Sequence, residues 1–237
     1  MNSAWRKTLF LGTALALALP CVAQQPPSSS PAPQAPPPPA PRFVVVLDAA
    51  HGGADTGAHL DSGQLEKAVN LSLNVRLRSL LSARGIQVVT TRESDSSVDL
   101  DKRAEIANHA KAGACLSLHA TESGSGIHLF ASSLPPAQPA RFTAWKTAQA
   151  ASVTGSLALA GILNSALAHA GFNVTLGRTA LPAVDSMTCP ALAVEIAPER
   201  GEDNKILSEP DNPDYQARVA LALAAAIVQW RTEARQP

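Results

Sequence analysis

The chain has 237 residues, with 19 basic and 19 acidic side chains, and so a formal net charge of zero. This balance excludes the strongly basic surface that binds nucleic acid or an anionic membrane surface, and we expect neither as a partner. Apolar residues make up 46% of the chain, which is enough to bury one core of ordinary domain size and excludes wholesale disorder.

The first 23 residues have the pattern of a signal peptide. Arg6 and Lys7 precede an apolar run from Leu9 to Leu19, and Ala23 completes a small-residue site for a signal peptidase. We predict cleavage after Ala23 and a periplasmic or secreted protein. Lipidation at Cys21 is the first alternative. A permanent membrane anchor is the second, and it would need roughly 20 apolar residues.

A proline-rich segment separates this signal from the rest of the chain. Residues 24–41 are half proline, a composition that favours extended polyproline II and forms no packed core, so we predict a linker. Residues 42–235 contain no second linker and no internal repeat, which predicts a single folded domain. Within it, Cys115 and Cys189 either form a disulfide or remain buried free thiols, and the sequence leaves both open.

Strand and helix patterns alternate along this domain. Continuous or alternating apolar runs predict strands over residues 43–48, 86–91, 115–119, 126–131, 172–176 and 191–196. Apolar residues at helical spacing predict helices over residues 65–80, 100–110, 157–167 and from Pro213 onward, with Leu157 and Trp230 facing inward. The alternation predicts an α/β fold, a three-layer sandwich with a mostly parallel sheet flanked by helices.

Polar residues that can do chemistry stand at the ends of these predicted strands. His51 follows the first strand, His119 ends the third, and Glu195 interrupts the last apolar run. Glu66 opens the first helix. Because ligand sites of open α/β sheets lie beyond the carboxyl ends of the strands, we expect these four side chains to converge.

Two imidazoles and one carboxylate hold zinc in many hydrolases, and the fourth position is left for a water whose pKa the metal lowers to about 7. The remaining carboxylate can then act as general base. Each residue also has an ordinary interpretation, because a histidine at a strand end commonly forms a structural hydrogen bond. In the same way, Glu66 in a first helical turn favours the helix dipole.

Five segments of the chain resemble, in order, the motifs of zinc-dependent N-acetylmuramoyl-L-alanine amidases, cell-wall hydrolases used in cell separation. They read DAAHGGADTGA, LEKAVNLSLNVRLRSLL, VVTTR, DLDKRAEIANHAKAGACLSLHA and PALAVEIA. The resemblance covers about residues 42–230, and it implies that this domain is catalytic. It places the Zn²⁺ ligands on His51, Glu66 and His119 and the catalytic glutamate on Glu195.

The reaction implied by the resemblance is hydrolysis of the amide between the lactyl group of N-acetylmuramic acid and L-alanine. Peptidoglycan would be the substrate, and a protein activator is an open alternative as a further partner. Two rival hypotheses keep the fold and change the function. The first is a peptidoglycan-binding protein with impaired catalysis, and the second is a zinc peptidase that acts on ordinary peptides.

The chain departs from the family pattern at three places. Ala50 replaces the usual glycine before the first histidine, and it would strain the turn if that position needs positive φ. Thr121 replaces an asparagine, and Ala197-Pro198 replaces a Gly-Phe pair. These two departures bear on substrate contacts and not on metal ligands.

Further polar residues near the motifs have two interpretations each. Asp48 either orients His51 or caps a turn, and His59 either binds metal or substrate or is a solvated loop residue. Arg92 and Arg103 match family positions, although they could instead pair with nearby acidic residues at the surface. A site-facing role for His128 has no further support in the sequence.

Overall fold

The computed structural model describes residues 42–138, 142 and 144–234, so the predicted signal peptide and linker lie outside the described residues. The strands are β1 Val44–Ala49, β2 Gln87–Thr90, β3 Ala114–Ala120, β4 Ile127–Ser132, β5 Val174–Thr179, β6 Ala191–Ile196, β7 Glu199–Arg200 and β8 Ile206–Ser208. The helices are α1 Glu66–Ala83, α2 Leu100–His109, α3 Val153–His169, α4 Pro182–Asp185 and α5 Pro213–Glu233, with a 3-10 helix over Trp145–Ala151.

Six strands form one mixed sheet in the order β2-β1-β3-β6-β4-β5. The first four are mutually parallel, as the alternation of strands and helices predicts. β4 pairs antiparallel with β6, and β5 runs parallel to β4, so the last two strands are reversed. The predicted α/β sandwich with a mostly parallel sheet is confirmed, and β7 and β8 form a separate small hairpin.

The main apolar core lies on the sheet face covered by α1, α3 and α5. Strand side chains alternate between the two faces, so Leu47 and Leu116 reach this core while their neighbours do not. The inward face predicted for α5 is confirmed in part, because Val219, Leu223 and Ile227 are fully buried. Trp230 is only partly buried, and its Nε1 donates to the carbonyl of Gly113 at 2.9 Å.

The prediction for the third long helix is wrong at Leu157, which is 41% exposed. Helix α3 begins at Val153, and its buried face runs through Leu159 and Leu163. Leu157 lies on a different face of the helix and is therefore exposed. Among the described residues, no single helix is long and apolar enough to cross a membrane. The 3-10 helix and α3 reach that length and apolarity only as a pair bent by 63°.

The opposite sheet face carries a smaller core that covers only part of the strands. Val46 and Cys115 pack there against α2 and the segment around α4, and Cys115 forms a disulfide with Cys189. Two residues further along β1 and β3, on the same face, stand Asp48 and Ser117. The face therefore changes from apolar to polar toward the carboxyl ends of β1, β3 and β6, and the candidate site lies there.

Candidate metal centre

The structure brings three of the four candidate residues together. Glu66 Oε1 lies 3.2 Å from His51 Nε2 and 3.0 Å from His119 Nδ1. The three potential ligand atoms lie within 4.8 Å of one another. Glu195 is the direct strand partner of His119, because β3 and β6 pair in register at these two residues. The convergence expected from the strand ends is therefore observed for His51, Glu66 and His119, and Glu195 lies on the neighbouring strand.

The glycine-rich turn after β1 places His51. His51 adopts φ 62°, in the left-handed region, and this conformation costs a residue with a side chain about 1 to 2 kcal/mol. The positive φ falls at His51 and not at Ala50, so the methyl group at position 50 causes no strain. Gly57 meets a different constraint, since a Cβ there would stand 2.5 Å from Glu66 Oε2 and 2.7 Å from His51 Cδ2.

Two buried arginines hold this turn. Arg103 donates to the carbonyls of Ala49 and His51 at 2.8 Å each, and Arg92 donates to the carbonyl of Ala49 at 2.8 Å. The alternative of surface pairing with acidic residues is wrong, because Arg92 and Arg103 are only 4% and 3% exposed. Carbonyls at the end of β1 need donors, and a guanidinium carries five N–H groups in a fixed fork.

Asp48 is hydrogen-bonded to Arg103, which holds the turn, and it does not orient His51. It is buried, and it accepts from Arg103 Nη1 at 2.6 Å, Thr91 Oγ1 at 2.6 Å and Ser117 Oγ at 2.7 Å. The residue that orients His51 is Asp55, whose Oδ2 lies 2.8 Å from His51 Nδ1. A carboxylate only accepts, so Nδ1 donates and Nε2 is left facing Glu66. Sequence reasoning missed Asp55, although an acid four residues after a candidate ligand was visible.

Glu66 is buried and surrounded by donors. Its Oε2 accepts from the Ala58 N–H at 2.8 Å, and its Oε1 lies 3.3 Å from Asn70 Nδ2 and 3.3 Å from the Ala120 N–H. Burial raises the pKa of Glu66, but hydrogen bonds from His119, His51 and Ala58 outweigh it and hold the pKa well below its usual range. Glu66 is therefore ionised at neutral pH.

The contact between Glu66 and His51 lowers the pKa of Glu66 and raises the pKa of His51. The hydrogen bond with Glu66 raises the pKa of His51 above its usual value, against the lowering effect of burial, and Asp55 adds to the increase. Two imidazole nitrogens and one ionised carboxylate form the donor set of catalytic zinc sites, which keep one position open. The chemistry of the residues present therefore fits a zinc ion. The same donor set also binds iron(II) in some oxygenases.

A cavity of about 500 Å³ opens beside the cluster. His51 and His119 line it on the sheet side, together with Asp48 and Ser117. Asp55 and Arg103 also line it, and most of its remaining surface is apolar and comes from the segments 97–100 and 181–184. A few convergent polar groups in an otherwise apolar cavity are typical of a small-molecule or substrate site.

Two histidines with open roles differ in their placement. His59 is exposed in the loop before α1 and stands outside the three-residue cluster. His128 on β4 contacts Glu195, with Nδ1 2.9 Å from Oε1. This contact joins strands 67 residues apart in sequence, so the sequence offered no local signal for it.

The remaining departures lie in backbone pairings next to the site. Thr121 Oγ1 accepts from the Ser123 N–H at 3.1 Å and so supports a turn at the end of β3. The Ala197 N–H donates to the Gly126 carbonyl at 2.9 Å, and the Pro198 carbonyl accepts from the Gly126 N–H at 3.0 Å. Thr121 thus supports the loop between β3 and β4 with its side chain, whereas residues 197 and 198 hold it with backbone groups alone.

Comparisons with known proteins support the fold and identify a family. The family model described as N-acetylmuramoyl-L-alanine amidase matches residues 45–229. N-acetylmuramoyl-L-alanine amidase AmiA of Escherichia coli is 44% identical over 77 residues, which are 32% of this chain and 27% of that protein. The matched part thus spans about a quarter of that relative's length.

Solved structures extend the likeness across the domain. The catalytic domain of CwlV, an N-acetylmuramoyl-L-alanine amidase from Bacillus (Paenibacillus) polymyxa var. colistinus, superposes with a TM-score of 0.63 at 25% identity, covering 80% of this chain and 98% of that one. The CwlD amidase from Clostridioides difficile, solved in complex with the GerS lipoprotein, superposes with a TM-score of 0.62 at 21% identity, covering 81% and 100%. This second likeness supports the fold alone.

Proposed function

The chain belongs to the N-acetylmuramoyl-L-alanine amidase family, and we propose that it hydrolyses the amide between the lactyl group of N-acetylmuramic acid and L-alanine in peptidoglycan. We propose His51, Glu66 and His119 as ligands of a zinc ion and Glu195 as the catalytic residue. One observation carries the proposal: three ligand atoms lie within 4.8 Å of one another beside a cavity, and Glu195 pairs with one of these ligands.

Zinc bound at these three residues would supply a water of lowered pKa and polarise the amide carbonyl. The chain itself moves the proton. Glu195, which is 30% exposed beside His119, takes a proton from the attacking water and passes it to the leaving nitrogen of L-alanine. The C–N bond breaks, the lactyl group becomes a carboxylate, and the stem peptide leaves with a free amine.

The environment of each carboxylate supports this division of roles. Glu66 is held ionised by two histidines and a backbone N–H, as a metal ligand must be. Glu195 is more exposed, and among the described residues its side chain contacts His128. A carboxylate that exchanges protons must reach water, whereas a ligand must keep its place.

Export is part of the proposal. Peptidoglycan lies outside the cytoplasmic membrane, and the predicted signal over residues 1–23 would deliver the chain to it. The buried disulfide between Cys115 and Cys189 supports this location, because such bonds persist in oxidising compartments.

The experiment is digestion of purified peptidoglycan by the purified protein, with and without a chelator, alongside metal analysis for zinc and iron. We expect about one zinc per chain and chelator-sensitive release of peptides that begin with L-alanine. Mass spectrometry should show a free lactyl carboxylate on muramic acid.

Other outcomes separate the rival functions. Cleavage within the stem peptide would replace the amidase by a zinc peptidase. Zinc-loaded protein that binds peptidoglycan without releasing peptide, alone and with an extract of its host's envelope proteins, would replace it by a binding protein. Activity restored by that extract would instead point to an activating partner.

A further inference from the structure

A row of three polar side chains crosses the sheet at the site. His119 on β3 pairs with Glu195 on β6, and Glu195 pairs with His128 on β4. Directly paired residues project from the same face of a sheet, so the three side chains stand side by side. His128 therefore borders Glu195 on the side away from the proposed metal ligands.

His128 donates a hydrogen bond to the proposed base. Its Nδ1 lies 2.9 Å from Glu195 Oε1, and since a carboxylate only accepts, the imidazole is the donor. The side chains are 13% and 30% exposed, so water competes only partly for this bond. Within the described part of the chain, the Glu195 side chain makes this one hydrogen bond, which occupies one carboxylate oxygen.

The absence of a side chain at Gly124 leaves room for the imidazole of His128. A Cβ at Gly124, which has φ +85°, would stand 2.5 Å from His128 Cε1 and 2.7 Å from its Nε2. The loop between β3 and β4 therefore approaches the ring as only glycine allows. The Phe130 ring meets the imidazole edge-on, with centroids 6.3 Å apart. The contacts fix the ring so that Nδ1 faces Glu195.

We propose that His128 is a positioning residue for Glu195: its Nδ1–H holds Oε1, which leaves Oε2 as the oxygen that exchanges the proton. This inference rests on the proposed function. Oε2 accepts a proton from the attacking water and releases it to the leaving amine nitrogen, while Oε1 keeps its bond to His128 throughout. His128 itself gains and loses no proton.

The test compares three variants of the zinc-loaded protein on a soluble muramoyl-peptide fragment. His128→Leu removes the donor and keeps the bulk, whereas His128→Asn keeps an N–H at the position of Nδ1. His169→Leu, at an exposed site on α3, is the matched control. We expect His128→Leu to lower kcat about 10- to 100-fold, as loss of a supporting contact does, with KM and zinc content unchanged. His128→Asn should recover most of kcat, and the control should equal the wild type.

A purely structural role would give a different pattern, in which both His128 variants lose melting temperature and activity together. That pattern, or an unchanged kcat in His128→Leu, would overturn the inference and leave the amidase intact. The Glu195→Gln background sharpens the test. Adding His128→Leu there should change the residual rate less than about twofold, because the residues act as a unit. An equal fold-loss in both backgrounds would overturn the inference, and a wild type that is inactive both alone and with the envelope extract would overturn the proposed function with it.

Discussion

The two halves of the site are held in different ways. The ligand half, comprising His51, Glu66 and His119, is supported from many directions. Glu66 alone contacts two histidines, two backbone N–H groups and Asn70. Among the described residues, the base half, comprising Glu195 and His128, is joined by a single hydrogen bond. A metal ligand set must keep its geometry, whereas a base must stay accessible, and the difference in support follows from these needs.

Removing a ligand should have the largest effect. In His119→Ala two donors remain, too few to hold zinc well, so we expect zinc content far below one per chain. Activity should fall by more than the roughly 100-fold that loss of an outer contact costs. Metal analysis after dialysis and the peptide-release assay measure both quantities. Full zinc occupancy in His119→Ala would show that the ligand half is assigned wrongly.

Removing the base should lower turnover and leave zinc binding unchanged. Glu195→Gln keeps a hydrogen-bonding side chain but cannot accept the proton of water, so we expect turnover to fall about 10²- to 10⁴-fold. Zinc content should stay at the wild-type level because the ligand half is intact. A wild-type rate would remove Glu195 from the mechanism. Loss of zinc together with activity would mean that the halves are not independent.

The framework beneath the ligand half has a weak point at Arg103. Arg103→Leu leaves Asp48 buried without its charged partner, and breaking a buried pair costs about 3 to 5 kcal/mol of unfolding free energy. Two hydroxyl donors remain on Asp48, which favours the lower end of that range. Urea unfolding measures the loss.

A matched control for this change is Arg78→Ala. Arg78 pairs with Glu93 at the surface, where the side chains are 39% and 69% exposed. Its loss should cost less than about 1 kcal/mol. Equal losses in the two variants would mean that the buried pair contributes no more than a surface pair.

The sequence predicts the succession of the main strands and helices along the chain well, because apolar periodicity is a local signal. His51, His119 and Glu195 stand where a parallel sheet brings strand ends together. The reversal of β4 and β5 was not predictable, since strand direction leaves no trace in an apolar pattern. That reversal brings His128 next to Glu195.

The burial of Arg92 and Arg103 was also not predictable from the sequence. The sequence left open whether Arg92 and Arg103 occupy family positions or pair at the surface, because charged side chains rarely lie fully inside. Their burial depends on unpaired carbonyls at the end of β1, and these exist only in the folded chain. The contact between Asp55 and His51 likewise forms only when the glycine-rich turn closes.

Asp55 provides the smallest and most discriminating test. Asp55→Asn replaces the carboxylate that orients His51, but the histidine backbone is still held by Arg103, and Nε2 still faces Glu66. The side chain of Asp55 is 66% exposed, so water can replace part of the lost bond. We therefore expect zinc affinity to fall about tenfold, at the lower end for such contacts, with a small effect on kcat in excess zinc. Competition with a chromophoric chelator measures the affinity. If Asp55→Asn lowered kcat at saturating zinc more than His128→Leu does, the many contacts of the ligand half would not be redundant, and the contrast between the two halves would fail.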